Sequence, residues 1–220
     1  MTKPLLLAAL LSTAACAHGG HQAHHGGHHH RFTDPAAMAA RWNDPARDAW
    51  QRPETLVAAL EIAPGMTVTD LGTGTGYLLP HLVRAVGPDG VVLAQDIEPS
   101  MLDWVRQRAA KEGWTTVRTV QGTGDAPGLE QASVDRVVMV NVWHHIEGRE
   151  RFASALAAAL RQGGRIVVAE ARPGAGGEGP PESMRLAPEE VIRAFEEAGL
   201  DARLLVWEND RQYAVEARLR

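Results

Sequence analysis

The sequence predicts an α/β fold, with helices covering both faces of a doubly wound sheet. Three observations carry that expectation. Thr67 to Leu71 is a short strand-like run that breaks into Gly72, Gly74 and Gly76, then turns apolar again at Leu78, Leu79, Leu82 and Val83. That is the strand, turn and helix setting in which a glycine motif has physical meaning, with the helix expected from Gly76 to Val86. Strand-like and helix-like segments then follow one another toward the end of the chain. Ser133 to Val140 is nearly continuous in apolar residues, as a parallel strand covered on both faces should be.

The chain has 220 residues, enough for one such domain and an N-terminal extension. Its 45% hydrophobic content suits a globular core. A net charge of −5 argues against a nucleic-acid partner, which normally requires a basic surface. One cysteine excludes an intrachain disulfide and a cysteine-based zinc site.

Residues 1–17 read as a bacterial export signal. Lys3 precedes the apolar run Leu5 to Leu11, and small residues follow from Ser12 to Ala17. The run is too short for a comfortable membrane span. Ala15-Cys16-Ala17 fits ordinary signal cleavage, whereas Ala14-Ala15-Cys16 resembles the end of a lipoprotein box with Thr13 in the position usually held by Leu, Val or Ile. The second route would lipidate Cys16 and tether the chain to a membrane. The expected location is periplasmic or membrane-anchored facing the periplasm, and cytoplasmic if the signal is not used. Residues 18–30, from His18 to His30, are almost entirely histidine and glycine. Without apolar periodicity they form a flexible linker, whose imidazoles would bind divalent metals weakly. No metal-ligand set of defined geometry emerges.

Residues 31–66 form an N-terminal lid segment and helix. Trp42 and Trp50 alternate with charged residues and prolines in an irregular or short-helical stretch. They either pin the segment to the core or face a cation. Thr55 to Leu60 reads as a helix, closed by Ala63-Pro64-Gly65.

The domain proper spans residues 67–220. Its glycine turn lets backbone N–H groups and a helix N-terminus face a ligand closely. It reads Gly72-x-Gly74-x-Gly76 behind Asp70, unlike the G-x-G-x-x-G of dinucleotide sites. Val91 to Gln95 is a second buried strand, ending at Asp96, an acid placed to accept both hydroxyls of a ribose. Asp70 with the glycines, and Asp96-Ile97-Glu98-Pro99-Ser100-Met101-Leu102, resemble the first two motifs of the class I S-adenosylmethionine-dependent methyltransferases. The resemblance implies a Rossmann-like sheet of seven strands with the last antiparallel, and S-adenosyl-L-methionine as cofactor. It sets Asp70, Gly72, Thr73, Gly74, Thr75 and Gly76 around the methionine portion, Asp96 on the ribose and Ile97 against the adenine. Glu98 competes for the ribose or serves as a first-turn acid of the helix Pro99 to Glu112. After the third strand, Val117 to Gly122, the family's adenine-contacting acid falls on Asp125 by wording and on Thr123 by counting back from Asp135.

The fourth strand ends at Asn141-Val142-Trp143-His144-His145-Ile146. Ligands of open α/β sheets bind beyond such carboxyl ends, so Asn141 joins the cofactor set. His144 and His145 are the candidate general bases for an acceptor that carries a proton, against the alternative of backbone binding and helix capping. The wording resembles the His-His ending of small-molecule methyltransferases. Helix Arg149 to Leu160 leads to a turn at Arg161 to Gly164, with Gln162 where the family has proline, and to a fifth strand, Arg165 to Glu170. The Gly/Pro-rich stretch from Pro173 to Pro181 is a mobile substrate loop or an inert one. A helix from Pro188 to Gly199 and a hairpin, Leu200 to Trp207 with Gln212 to Leu219, close the domain. The expected function is methyl transfer to a small-molecule acceptor. The rivals are a non-catalytic module binding the cofactor or its demethylated product, and a periplasmic metal-binding protein acting through its histidine tract.

Overall fold

Alternating burial along the strands gives the sheet two apolar faces, and each face has recruited its own helices. The computed structural model describes residues 34–177, 179–207 and 209–219. The expected export signal, Cys16 and the histidine tract lie outside them. The strands are β1 (Thr67–Leu71), β2 (Val91–Asp96), β3 (Val117–Gln121), β4 (Val134–Val140), β5 (Leu160–Ala171), β6 (Leu200–Leu204) and β7 (Gln212–Leu219). They form one seven-stranded sheet in the order β3-β2-β1-β4-β5-β7-β6, with β7 antiparallel to both its neighbours. The helices are α1 (Pro35–Trp42), α2 (Asp48–Gln51), α3 (Pro53–Ala58), α4 (Leu79–Val86), α5 (Pro99–Glu112), α6 (Arg149–Ala159) and α7 (Pro188–Glu197).

Val137, Met139, Ile166 and Val168 face Phe152 and Leu156 of α6 and Val191 and Phe195 of α7. The residues between them, Val138 and Val167, join Val68 and Val92 against Leu56, Leu79, Leu82 and Val105 of α3, α4 and α5. This is the period-two alternation of a sheet packed on both sides. Each fully buried Leu, Val or Phe contributes about 1.5–3 kcal/mol.

The chain runs outward from β1 to β3, then returns to place β4 on the other side of β1. That reversal opens a crevice beyond the carboxyl ends of β1 and β4, where ligands of such sheets bind.

Four local readings change. Ahead of the stretch expected to be irregular or short-helical stands a helix not anticipated there, α1, started by Asp34, whose carboxylate accepts the Ala37 N–H, and by Pro35 in the first turn. α4 begins at Leu79 rather than Gly76, because Gly74 to Leu78 continue the turn. The expected turn at Arg161 to Gly164 is an irregularity inside β5. Leu160 pairs with Val134 and Arg165 with Arg136, so extra residues are accommodated with Gly163 at φ 72°. β6 stops at Leu204, five residues into the expected hairpin arm.

At the opposite end of the sheet, Arg136 and Arg165 donate to the carbonyls of Leu60 and Ala59 that end the α3 segment. These buried guanidinium groups fix the N-terminal segment against the strands' amino ends.

Candidate active site

β1 delivers Asp70 to the crevice almost wholly buried, and the turn behind it folds back on neighbouring strand ends. Thr73 Oγ1 donates to Asp70 Oδ2 at 2.8 Å. The Thr73 N–H donates to the Gln95 carbonyl at 2.8 Å, and Gly72 N–H to Gln95 Oε1 at 3.1 Å. Gly72 and Gly74 have φ 70° and 52°, the left-handed region that favours glycine. A Cβ at Gly72 would sit 2.4 Å from Val142 Cγ2, and one at Gly74 3.1 Å from Trp42 Cζ3. The glycines thus let β4's end and α1 close over the turn. Thr75 is tied to the same segment, its hydroxyl donating to Asn43 Oδ1 at 2.9 Å. Arg108 of α5 donates to the carbonyls of Thr75 and Gly76 at 3.0 and 2.7 Å, locking the outer side of the turn.

Asp96, at the end of β2, accepts the Gly74 N–H on Oδ2 at 2.8 Å and the Glu98 N–H on Oδ1 at 3.0 Å. Each oxygen keeps a further acceptor site, so the carboxylate can still take a pair of ribose hydroxyls. Glu98 occupies the N-cap position of α5, ahead of the first turn, and its side chain makes no capping hydrogen bond. Ile97 beside it is one of the few exposed large apolar residues among those described.

Burial pushes the Asp70 carboxyl up to about 6, opposed by the Thr73 hydrogen bond, raised further by the charge of Asp96 and lowered by Arg47. Burial also raises Asp96, against the amides of Glu98, Gly74 and Ile97. Among the described residues neither carboxylate has an ion-pair partner. Two acceptor-only groups of this kind favour a ligand bearing positive charge.

Thr123 and Asp125 share one exposed turn. The Thr123 hydroxyl donates to Asp125 Oδ1 at 2.7 Å and holds that carboxyl below its usual range. The turn is joined to the site by the Gly122 N–H, which donates to the Asp96 carbonyl at 3.1 Å.

Beyond β4 the two histidines part ways. His144 is buried, its Nδ1 2.7 Å from Glu170 Oε2, while the other oxygen of Glu170 accepts the Trp143 N–H at 2.6 Å. His145 is exposed and lies against the His144 ring, centroids 4.1 Å apart. Sequence reading singled out both histidines but not Glu170. The only signal was an acid closing an otherwise apolar strand.

Asn141 stands at φ 56° with its N–H on the Ala169 carbonyl at 2.8 Å and its Oδ1 accepting from Gln212. Trp50 is flanked by Arg47 and Arg211 at 5.8 and 5.0 Å, and its carbonyl accepts from Asn209 at 2.9 Å. It therefore pins the N-terminal segment to the β6–β7 connection. Near the two ends of the Gly/Pro-rich stretch, Arg185 donates to the carbonyls of Arg172 and Pro180 at 3.0 and 3.1 Å. Among the described residues no three His, Cys, Asp or Glu side chains converge as a metal site.

Residues 68–164 match the sequence family described as methyltransferase domain. The crystal structure of a SAM-dependent methyltransferase from Aquifex aeolicus superimposes with a TM-score of 0.78 at 25% identity, over 85% of this chain and 99% of that one. The chain is 33% identical to the arsenite methyltransferase of Halobacterium salinarum over 110 residues, half of this chain and 28% of that protein. It is 30% identical to a ubiquinone/menaquinone biosynthesis C-methyltransferase of Hahella chejuensis, over 50% of this chain and 44% of that protein. The chain thus spans less than half the length of these curated relatives. In its fold, in the match over residues 68–164 and in these relatives, the chain is similar to the class I S-adenosylmethionine-dependent methyltransferases. S-adenosylmethionine is the cofactor this similarity implies, and the donor and acceptor set of the crevice fits that molecule: buried carboxylates for its positive charge and ribose hydroxyls, and a glycine turn for its methionine portion.

Proposed function

We propose that this protein transfers the methyl group of S-adenosylmethionine to a small-molecule acceptor. The observation that carries the reading is the pair of buried carboxylates, Asp70 and Asp96, without an ion-pair partner among the described residues, on either side of a glycine turn at the sheet's switch point. In this reading Asp70 and the turn from Gly72 to Gly76 hold the methionine portion, Asp96 the ribose, Ile97 the adenine face, and Thr123 or Asp125 the adenine edge.

When bound, the cofactor supplies an electrophilic methyl group on a sulfonium. The chain's part is mainly alignment, since in-line displacement gains much of its rate from holding the partners in register. His144 is the base. The Glu170 carboxylate keeps a proton on Nδ1, leaving Nε2 to take the acceptor's proton. His145 lies against that ring, tilted by 41°. A small acceptor suits the net negative charge and the histidine ending of β4.

Calorimetric titration of the full chain with S-adenosylmethionine and S-adenosylhomocysteine tests the reading. Micromolar binding of both supports it and opens a screen of small acceptors with labelled cofactor; binding of neither rejects it. Export by residues 1–17, with Cys16 as a lipid attachment point and weak metal binding by residues 18–30, belongs to the same proposal and rests on sequence. Fractionation of native cells that finds the protein only in cytosol rejects export.

A further inference from the structure

Four side chains form one hydrogen-bonded chain across the molecule, and the chain has a direction. Arg47 donates through Nε and Nη2 to Gln51 Oε1, at 3.3 and 3.0 Å. Gln51 Nε2 donates to Gln212 Oε1, and Gln212 Nε2 donates to Asn141 Oδ1 at 2.9 Å. Gln51 and Gln212 are 0% and 2% exposed, so each amide must find its partners within the protein. A guanidinium has donors only. Its contact therefore fixes which end of the Gln51 amide faces Arg47. Gln51 then fixes Gln212, and Gln212 fixes Asn141. The Asn141 oxygen is engaged, and its Nδ2 group is left as the free end, with no hydrogen-bond partner among the described residues.

That free donor stands where β4 leaves the sheet, next to β1, whose Leu71 pairs with Met139. Val142, the next residue, packs against Gly72. The two neighbouring strand ends are thus complementary in kind. β1 offers Asp70, which accepts when ionised, and β4 offers an amide turned to donate. Asp70 pairs with Val138, so Asn141 stands three residues further along the neighbouring strand, roughly 10 Å on at ~3.3 Å per residue. An α-amino acid head group, with ammonium and carboxylate on one carbon, matches that pair in kind.

We propose that Gln51 and Gln212 are positioning residues that hold Asn141 as a donor to the carboxylate of the cofactor's methionine portion, while Asp70 receives the ammonium. The proposal rests on the S-adenosylmethionine reading above. Because Asn141 presents nitrogen rather than oxygen, it is not the group that accepts a hydrogen bond from an attacking amine.

The test is calorimetry on the full chain with two ligands, S-adenosylhomocysteine and methylthioadenosine, which keeps the adenosine and sulfur but lacks the amino-acid head group. Gln212→Glu still accepts from Gln51 but, being ionised, demands a donor from Asn141 and so turns its oxygen toward the pocket. Gln212→Met breaks the chain without adding charge. Asn141→Asp removes the donor at a half-buried position whose positive φ aspartate tolerates, so one variant does not depend on repacking the core. Gln212→Glu and Asn141→Asp should each weaken S-adenosylhomocysteine about tenfold while methylthioadenosine stays within about twofold, and Gln212→Met should weaken the former by a smaller factor. Equal losses for both ligands, or unchanged S-adenosylhomocysteine binding, overturn the proposal. A wild-type chain that binds neither ligand overturns the cofactor reading with it.

Discussion

The His144 ring and the Glu170 carboxylate meet at 2.7 Å, Nδ1 to Oε2, with side chains only 3% and 1% exposed. The same carboxylate takes the Trp143 amide on Oε1, so one acid from β5 sets both the path of the chain after β4 and the histidine's tautomer. Glu170→Ala should cost roughly 2–4 kcal/mol in urea unfolding, because it strands a buried amide and a buried ring nitrogen. Glu170→Gln should restore part of that stability by accepting from Trp143. Its amide nitrogen then faces Nδ1 and moves the ring proton to Nε2, which nitrogen NMR of His144 reads directly. Turnover on an acceptor found by screening should stay lost. A glutamine variant with full turnover would remove His144 from the role of base.

Asp70 makes the cofactor-free protein pH-dependent. Its carboxyl titrates near 3.8 when unfolded and at about 6 when folded, so between these values the folded chain binds more protons. Stability therefore falls as pH rises from about 4 to 6 and is flat beyond, the charged form costing about 3 kcal/mol. Asp70→Asn should remove that slope and raise the thermal midpoint at pH 7.5, while cofactor affinity drops at least about tenfold for loss of a buried charged acceptor. In wild type, affinity should rise from pH 5 to 7 as Asp70 ionises. A variant that melts no higher than wild type would mean that another group balances the Asp70 charge.

Asp96 differs from Asp70 in having its backbone donors already in place. Asp96→Ala should weaken S-adenosylhomocysteine by about 1–3 kcal/mol and also leave the Gly74 and Glu98 amides without their acceptor. Calorimetry with adenosine separates these effects. A variant that loses the amino-acid contribution but keeps adenosine affinity would place the ribose elsewhere.

Much of the fold and the first half of the site were legible because their signals are local. The glycine turn, the acid ending β2 and the Pro99 start of α5 each declare themselves within a few residues. α1 carried its signal too, in Asp34 followed by Pro35, but the tryptophans and prolines after it masked a short helix. What could not be read is what spans the sequence. Gln212 meets Gln51 and Asn141 across 161 and 71 positions, and Glu170 meets His144 across 26. No spacing rule links such residues until the sheet order is known. The irregularity in β5 was hidden for a related reason: pairing with β4 continues across the glycines that read as a turn.

Gly72 separates backbone conformation from steric closure. Gly72→Ala puts a methyl 2.4 Å from Val142 Cγ2 at φ 70°, and should cost about 1–2 kcal/mol for the left-handed conformation and about 1–3 kcal/mol for the clash. Adding Val142→Ala should recover only the second part. Unfolding of the single and double variants measures the split, and cofactor binding should follow the conformational part, because the turn's N–H groups move with φ. Full recovery in the double variant would show that the turn tolerates a side chain, and that the glycine serves packing alone.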